Sequence, residues 1–254
     1  MRTFITTALV LLALAATERS QAQVMAQNRA LIIVSELDST GIPELAPLYA
    51  TLENLTNGLP NLLIVDNSYR EIHTLRNANA TLAQFRTLSR QLAMRPEISA
   101  IDVFMVLHGR DNKLKFADGT VEMPDLVEFM NQATNGAQQV IVNRTKRKFR
   151  VMYNTSCFGA SHRAAFRAVG FDVASGSIGV NANSELEYPS FLAMWNLNST
   201  FGQALAPTNT AVALAAADGP LVATGLLLNN FLKNVNSRKL ISGNANIRIT
   251  TPAQ

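Results

Sequence analysis

The stretch AIDVFMVLHGR, residues 100–110, decides the fold of this protein. Between Ile101 and Leu107 only Asp102 is polar. A strand with one face in water would alternate apolar and polar side chains, so this nearly continuous apolar run predicts a strand that is buried on both faces. We therefore place it inside a parallel sheet that is covered by helices.

The segments on either side alternate between apolar runs and amphipathic stretches, which is typical of an α/β protein. The predicted strands are ALIIVSEL (30–37), one or two extended pieces at 62–65 and 69–76, the central run, KFRVMYNTS (148–156), FDVASGS (171–177) and NIRIT (246–250), with a hairpin turn at Asp118-Gly119. The predicted helices are 45–55, which ends at Asn57-Gly58, 80–93, a helix that opens at Pro124, 162–169 and most of 189–232. The pattern predicts one α/β domain with a mostly parallel central sheet of about six strands and helices on both faces.

The N-terminus has the layout of a secretory signal. Arg2 precedes an apolar run from Phe4 to Ala16, and small and polar residues follow. The run is too short to span a bilayer comfortably. We predict a signal peptide over residues 1–22, a single domain over 23–254 without a stable membrane span, and export to the periplasm or the medium. A retained anchor is the alternative.

The charge pattern favours a protein without nucleic-acid partners. The formal net charge is +4, and much of it lies in NRTKRKFR, residues 143–150. Phe149 is the only aromatic residue among these cations and no nucleic-acid-binding motif accompanies them, so we interpret the segment as a solvated loop that leads into a strand. Metal-ligand spacing, a phosphate loop and a dinucleotide-binding glycine turn are absent from the sequence, which predicts neither a metal nor a cofactor.

Two residues that can carry chemistry follow predicted central strands. His108-Gly109 ends one strand, and Cys157, the only cysteine, follows another. Catalytic groups gather at the carboxyl ends of strands in open α/β sheets, so we expect this imidazole and this thiol to meet there. A thiol at the start of the next helix would have a lowered pKa, and an imidazole can move a proton near neutral pH. His162, five residues after the cysteine, is the alternative base.

This arrangement resembles the caspase-like superfamily of cysteine peptidases, which includes caspases, metacaspases, legumains, gingipains and clostripain. The blocks that carry the resemblance are VFMVLHG (103–109) and RVMYNTSC (150–157), whose histidine and cysteine are 49 positions apart. A separation of about 50 residues is expected for caspases. LKFADGTVEMPDLVEFM, between the blocks, resembles the hairpin and helix that commonly lie there.

The resemblance implies a function and a role for each matching residue. Cys157 would attack a peptide carbonyl, His108 would protonate the departing amine, and the backbone N–H groups of Gly109 and Cys157 would stabilise the oxyanion. The residues expected to line the substrate pocket are Thr155, Ser175, Gly176 and Ser177.

Thr155 departs from both the caspase and the metacaspase patterns, so no side-chain preference is carried over. The expected partner is a peptide or protein substrate, and no oligomeric state follows from the sequence. The alternative is a catalytically inactive domain of this kind that binds peptides or proteins in the same cleft.

Overall fold

A computed structural model describes residues 23–37, 46–62, 68–228 and 230–254. The predicted signal peptide lies outside these residues, as does the extended piece at 62–65 beyond Leu62. Among the described residues, no helix combines the length and the apolar character needed to cross a membrane.

A single mixed sheet forms the centre of the molecule. Six strands run in the order β2-β1-β3-β6-β7-β8, and all neighbouring pairs in that order are parallel except β7 and β8. A β4-β5 hairpin pairs with the end of β3. The strands are β1 (Arg29–Glu36), β2 (Glu71–Arg76), β3 (Ala100–Arg110), β4 (Lys113–Phe116), β5 (Gly119–Glu122), β6 (Phe149–Asn154), β7 (Val173–Ser177) and β8 (Lys239–Gly243). This confirms the predicted sheet of about six mostly parallel strands.

Helices cover both faces of the sheet, as predicted. The α-helices are α1 (Ala46–Leu62), α2 (Leu82–Met94), α3 (Met123–Asn131), α4 (Gly136–Lys148), α5 (Arg163–Val169), α6 (Ser184–Asn196), α7 (Phe201–Leu205) and α8 (Ala211–Leu227). Apolar residues of α2, α3 and α5 pack in one core layer, and those of α1, α6 and α7 pack in a second layer. Helix α1 continues to Leu62, past Gly58, where the sequence predicted its end.

Strand β3 explains why the two layers share one sheet. Its side chains alternate, so that Val103 and Met105 join one core layer while Phe104 and Val106 join the other. All four are fully buried. The uninterrupted apolar run is therefore the consequence of a strand with a core on each side.

The prediction of a loop over the basic segment 143–150 was wrong. Its first six residues belong to α4, which begins where the Asn135 side chain accepts a hydrogen bond of 2.9 Å from the Gln138 N–H. Val142 and Thr145 are buried, while three cations occupy the last turn. Cations at the C-terminus of a helix are stabilised by the helix dipole, so the charge run ends a helix rather than breaking one.

The predicted last strand, 246–250, was also wrong, and β8 was missed. In place of a strand partner, the Ile249 carbonyl receives guanidinium N–H groups of Arg29 and Arg150. The side chain of Ile249 is buried in the second core layer. The alternating apolar residues of this segment are therefore buried in the core although the segment is not paired in the sheet.

A buried ion pair lies near the start of β3. Asp102 accepts hydrogen bonds from Arg150 Nε at 2.8 Å and from the Tyr69 hydroxyl at 2.7 Å, and a second guanidinium nitrogen of Arg150 also contacts it. Asp102 and Arg150 are both fully buried. The single polar residue of the central run is thus the partner of a cation on β6.

Candidate active site

The sheet brings His108 and Cys157 to the same edge. Strands β3 and β6 are parallel neighbours, and their last paired residues are Met105 and Asn154. His108 and Cys157 each lie three positions beyond this pair. The Thr155 N–H still bonds the Met105 carbonyl at 3.0 Å, so the two strands remain side by side as they leave the sheet.

His108 and Cys157 line the same open cleft and the same recess. The cleft has a volume of about 430 Å³ and is lined by Tyr49, His108, Gly109, Arg110, Lys113, Leu114, Lys115, Thr120 and Cys157. The recess next to it, of about 20 Å³, is lined by Leu37, Tyr49, Leu52, Leu107, His108, Thr155, Cys157, Asn181 and Ser184. An imidazole and a thiol on one open cavity are accessible to a substrate together.

The His108 ring is fixed by the end of β1. Its Nε2 lies 2.9 Å from the Leu37 carbonyl oxygen, and Tyr49 packs edge-on with ring centroids 4.7 Å apart. A carbonyl can only accept, so Nε2 carries the proton and Nδ1 of the neutral ring is the basic nitrogen. Burial lowers the pKa of His108, although the Leu37 carbonyl and Glu36 partly oppose this. The ring is therefore neutral at neutral pH and can accept a proton at Nδ1.

The Cys157 thiol is half-buried and has a hydrogen-bond donor beside it. The Asn181 N–H points at Sγ across 3.4 Å. Burial raises the pKa of Cys157, while this N–H and the positive charge of Lys239 act in the opposite direction. The expectation of a lowered pKa was wrong because the thiol lies before a four-residue 3-10 helix, Gly159–His162, and its loss of hydration dominates. Near pH 7, the cleft is therefore lined by a neutral thiol and a neutral imidazole.

The turn that carries Cys157 is tightly constrained. Phe158 adopts a left-handed conformation with φ of 55°, and its N–H donates to the Gly179 carbonyl at 2.8 Å. On the other side, a Cβ at Gly109 would lie 2.5 Å from the Cys157 carbonyl oxygen. A side chain at position 109 would therefore separate the two segments whose N–H groups are predicted to stabilise the oxyanion.

His162, the alternative base, has neighbouring groups at both of its ring nitrogens. It is fully buried, and its Nε2–H donates to the Arg110 carbonyl at 2.8 Å. Its Nδ1 lies 3.2 Å from the Ser156 hydroxyl and 3.3 Å from the Asn154 amide nitrogen. With both ring nitrogens occupied, His162 joins the end of β3 to the residue before Cys157.

The four predicted substrate-binding residues fall in different places. Thr155 lines the recess. Ser175, Gly176 and Ser177 are buried in β7, where β8 pairs with all three, and a Cβ at Gly176 would lie 2.1 Å from the Gly159 carbonyl carbon. These three are absent from the described lining of the cleft and of the recess, because β8 pairs with this part of β7 and the backbone of Gly159 packs against Gly176.

Sequence reasoning missed the residues that hold the loop over the thiol. Ser237 accepts the N–H groups of Ala182 at 2.8 Å and Asn183 at 3.1 Å, and its hydroxyl donates to Asp218 at 2.6 Å. The Asn181 side chain donates to the Thr155 carbonyl at 2.7 Å. No sequence signal marks this set, because its members are ordinary polar residues from segments that are distant in sequence.

The order of the elements around the site can be compared with known proteins. In this α/β protein, the strand that ends in His-Gly is followed by a hairpin, by the two helices α3 and α4, and by the strand that leads to the cysteine. The sequence resemblance predicted a hairpin and a helix between the two strands. No protein-family model and no curated protein matches the sequence. Among solved structures, it is similar to caspase-1 from Spodoptera frugiperda, with a TM-score of 0.46 and 10% identity over 86% of this chain and 87% of that chain. The description of the fold and of the site depends on the geometry above and not on this likeness.

Proposed function

We propose that the protein is an exported caspase-like cysteine endopeptidase that acts through His108 and Cys157. One observation carries the proposal: each of the two residues lies three positions beyond the last pair of β3 and β6, and both line one cleft. The Leu37 carbonyl adds support, because it holds the proton of the neutral His108 ring on Nε2 and leaves Nδ1 as the nitrogen that can act as a base.

In the proposed mechanism, the neutral pair becomes reactive as the substrate binds. Nδ1 of His108 takes the thiol proton while Sγ of Cys157 attacks the peptide carbonyl. The tetrahedral intermediate collapses, the imidazolium protonates the leaving amine, and a thioester remains. Water, deprotonated by the same imidazole, then attacks the thioester, and the second tetrahedral intermediate expels the acid. The imidazolium returns its proton to the departing sulfur, which restores the neutral thiol and the neutral imidazole.

Two groups near the thiol favour the charge that develops on sulfur, in opposition to burial. The Asn181 N–H and the Lys239 charge both stabilise the thiolate. The N–H groups of Gly109 and Cys157 are the proposed oxyanion donors, and the close approach of their two segments supports that role. Stabilisation of this kind acts most strongly where water is excluded.

The pH dependence of kcat/KM provides one prediction. The competent free form has a neutral His108 and a protonated Cys157, so activity is lost as pH falls through the His108 pKa and again as it rises through the Cys157 pKa. Burial lowers the first pKa and raises the second, so the plateau should extend below about pH 6.5 and above about pH 8.5, the ordinary values of the two groups. A fluorogenic peptide assay across pH measures it. An acid limb well above pH 6.5 would contradict the neutral pair.

The function itself is tested by covalent labelling. Peptides of a library that carry an acyloxymethyl ketone are incubated with the protein, and mass spectrometry of the protein should find Cys157 modified. The corresponding library of peptide amides should be cleaved. Prior alkylation of Cys157 should abolish cleavage. If no peptide in a diverse library is cleaved and Cys157 is not modified by the probes, the peptidase proposal fails.

One observation favours the alternative, an inactive peptide-binding domain. Burial raises the pKa of Cys157, whereas a reactive cysteine usually has a lowered pKa. Peptide binding without turnover, unchanged in Cys157→Ala, would support this alternative. If the wild type cleaves any peptide and Cys157→Ala does not, the inactive-domain alternative is excluded.

A further inference from the structure

The β4-β5 hairpin extends the His108 side of the cleft with one strongly basic face. His108 is directly opposite Lys115, and Arg110 is directly opposite Lys113. Directly paired residues share a face, and so do residues two apart on one strand. The imidazole and the three cations therefore project to the same side, and all four line the cleft.

The opposite face of the hairpin is apolar and anchors the hairpin to the core. Leu114 and Phe116 alternate with the lysines of β4, are fully buried, and belong to the core layer of α2 and α3. The hairpin is thus anchored by apolar side chains, and the charges on its outer face are not needed for that purpose.

The basic face carries an internal electrostatic cost. Like charges directly opposite each other on neighbouring strands are destabilising, and Arg110 and Lys113 form such a pair. Glu122 partly compensates, since it lies 2.5 Å from the Lys113 ammonium. Even so, the described lining of the cleft contains three cations and no aspartate or glutamate. An anionic ligand would relieve this repulsion.

The proposed mechanism indicates which segment of the substrate lies against this basic face. His108 protonates the leaving amine, so the substrate segment on the C-terminal side of the scissile bond departs past His108. Thr155 lies on the segment that follows β6 and carries Cys157, and it lines the recess but not the cleft beside the hairpin. The hairpin is therefore the surface that the leaving segment meets.

We propose that the face formed by Arg110, Lys113 and Lys115 binds acidic side chains of the substrate on the C-terminal side of the cleaved bond. This inference rests on the proposed function and names the substrate class: peptides with aspartate or glutamate in their leaving segment. Arginine offers a planar fork that suits a carboxylate, and the two lysines add compact charges beside it.

Two matched peptide libraries test the inference. They are randomised at the same positions, but one contains aspartate and glutamate where the other contains asparagine and glutamine. Binding to Cys157→Ala and cleavage by the wild type are measured in parallel.

The hairpin variant for these measurements carries Arg110→Glu and Lys115→Glu together. The matched control carries Arg144→Glu and Arg147→Glu on α4. It changes the net charge equally, at two exposed positions outside the described cleft lining. The comparison therefore separates the position of the charges from their number.

We expect the acidic library to be bound about tenfold more tightly, as two surface ion pairs of ordinary strength would give. The cleaved products should be enriched in acidic residues after the cut. The preference should disappear in the hairpin variant, persist in the α4 control, and weaken with added salt.

Equal binding of the two libraries, or an acidic preference that survives the hairpin variant, overturns the inference. Cleavage without acidic enrichment overturns it while leaving the peptidase proposal in place. A third outcome separates the two proposals: Cys157→Ala binds the acidic library more tightly, but the wild type cleaves no peptide. This result supports the basic face as an anion-binding surface and overturns the peptidase proposal instead.

Discussion

Cys157→Ala is expected to abolish peptide hydrolysis, with kcat lower by at least about a thousandfold, the scale seen when a catalytic nucleophile is removed. The methyl group cannot attack a carbonyl, and the loss of the only cysteine leaves no substitute thiol. Because the side chain is half-buried and its hydrogen bond with the Asn181 N–H is a long one, the change should leave folding almost unaffected. Steady-state kinetics on a cleaved library peptide measures the loss.

His108→Ala should lower kcat by roughly 10²- to 10⁴-fold, the usual contribution of a general acid and base. It is the only histidine in the described cleft lining. The matched control is His73→Ala: this histidine lies on β2, pairs with Glu71 at 2.9 Å, and is absent from that lining. Full activity in folded Cys157→Ala and His108→Ala proteins would remove the proposed dyad, and an equal loss in His73→Ala would indicate a general effect of the substitution.

Asp102→Ala is expected to destabilise the fold by about 3–5 kcal/mol, the cost of removing one partner from a buried ion pair. The substitution leaves the fully buried Arg150 guanidinium without its carboxylate and the Tyr69 hydroxyl without its acceptor. Urea unfolding followed by circular dichroism measures the free energy of unfolding. Asp102→Asn, which keeps the shape and an acceptor oxygen, provides the same comparison if the alanine protein does not fold.

The control for Asp102 is the exposed pair of Lys113 and Glu122. Their side chains are 45% and 47% exposed, so Glu122→Ala should cost less than about 1 kcal/mol. Asp102 precedes His108 by six residues, or roughly 20 Å of strand, so folded Asp102 variants should retain kcat. Equal losses of stability at Asp102 and Glu122 would contradict the role given to burial.

Much of the architecture could be predicted because burial constrains residue type. The run from Ile101 to Leu107 predicted a central strand, and β3 has that position with a core layer on each face. The placement of His108 and Cys157 at one sheet edge also followed from the sequence, since the ends of neighbouring parallel strands meet. Their catalytic roles stay predictions.

Other features depended on contacts between distant segments. The lowered pKa expected for Cys157 assumed a helix end, but the fold places the thiol in a half-buried turn, and burial depends on what packs around it. Ser175 was expected in the substrate pocket, yet β8 pairs with that strand. The sequence contains no marker for that pairing.

The sequence by itself determined the α/β class, the central strand and the two strand ends that carry a histidine and a cysteine, because local periodicity encodes which faces are buried. Tertiary structure alone decided that His162 contacts both Arg110 and Ser156, that Leu37 sets the tautomer of His108, and that three cations project to the same side as His108. Those properties arise from groups that meet only when the protein folds, and their protonation and pairing depend on distance and hydration rather than on residue order.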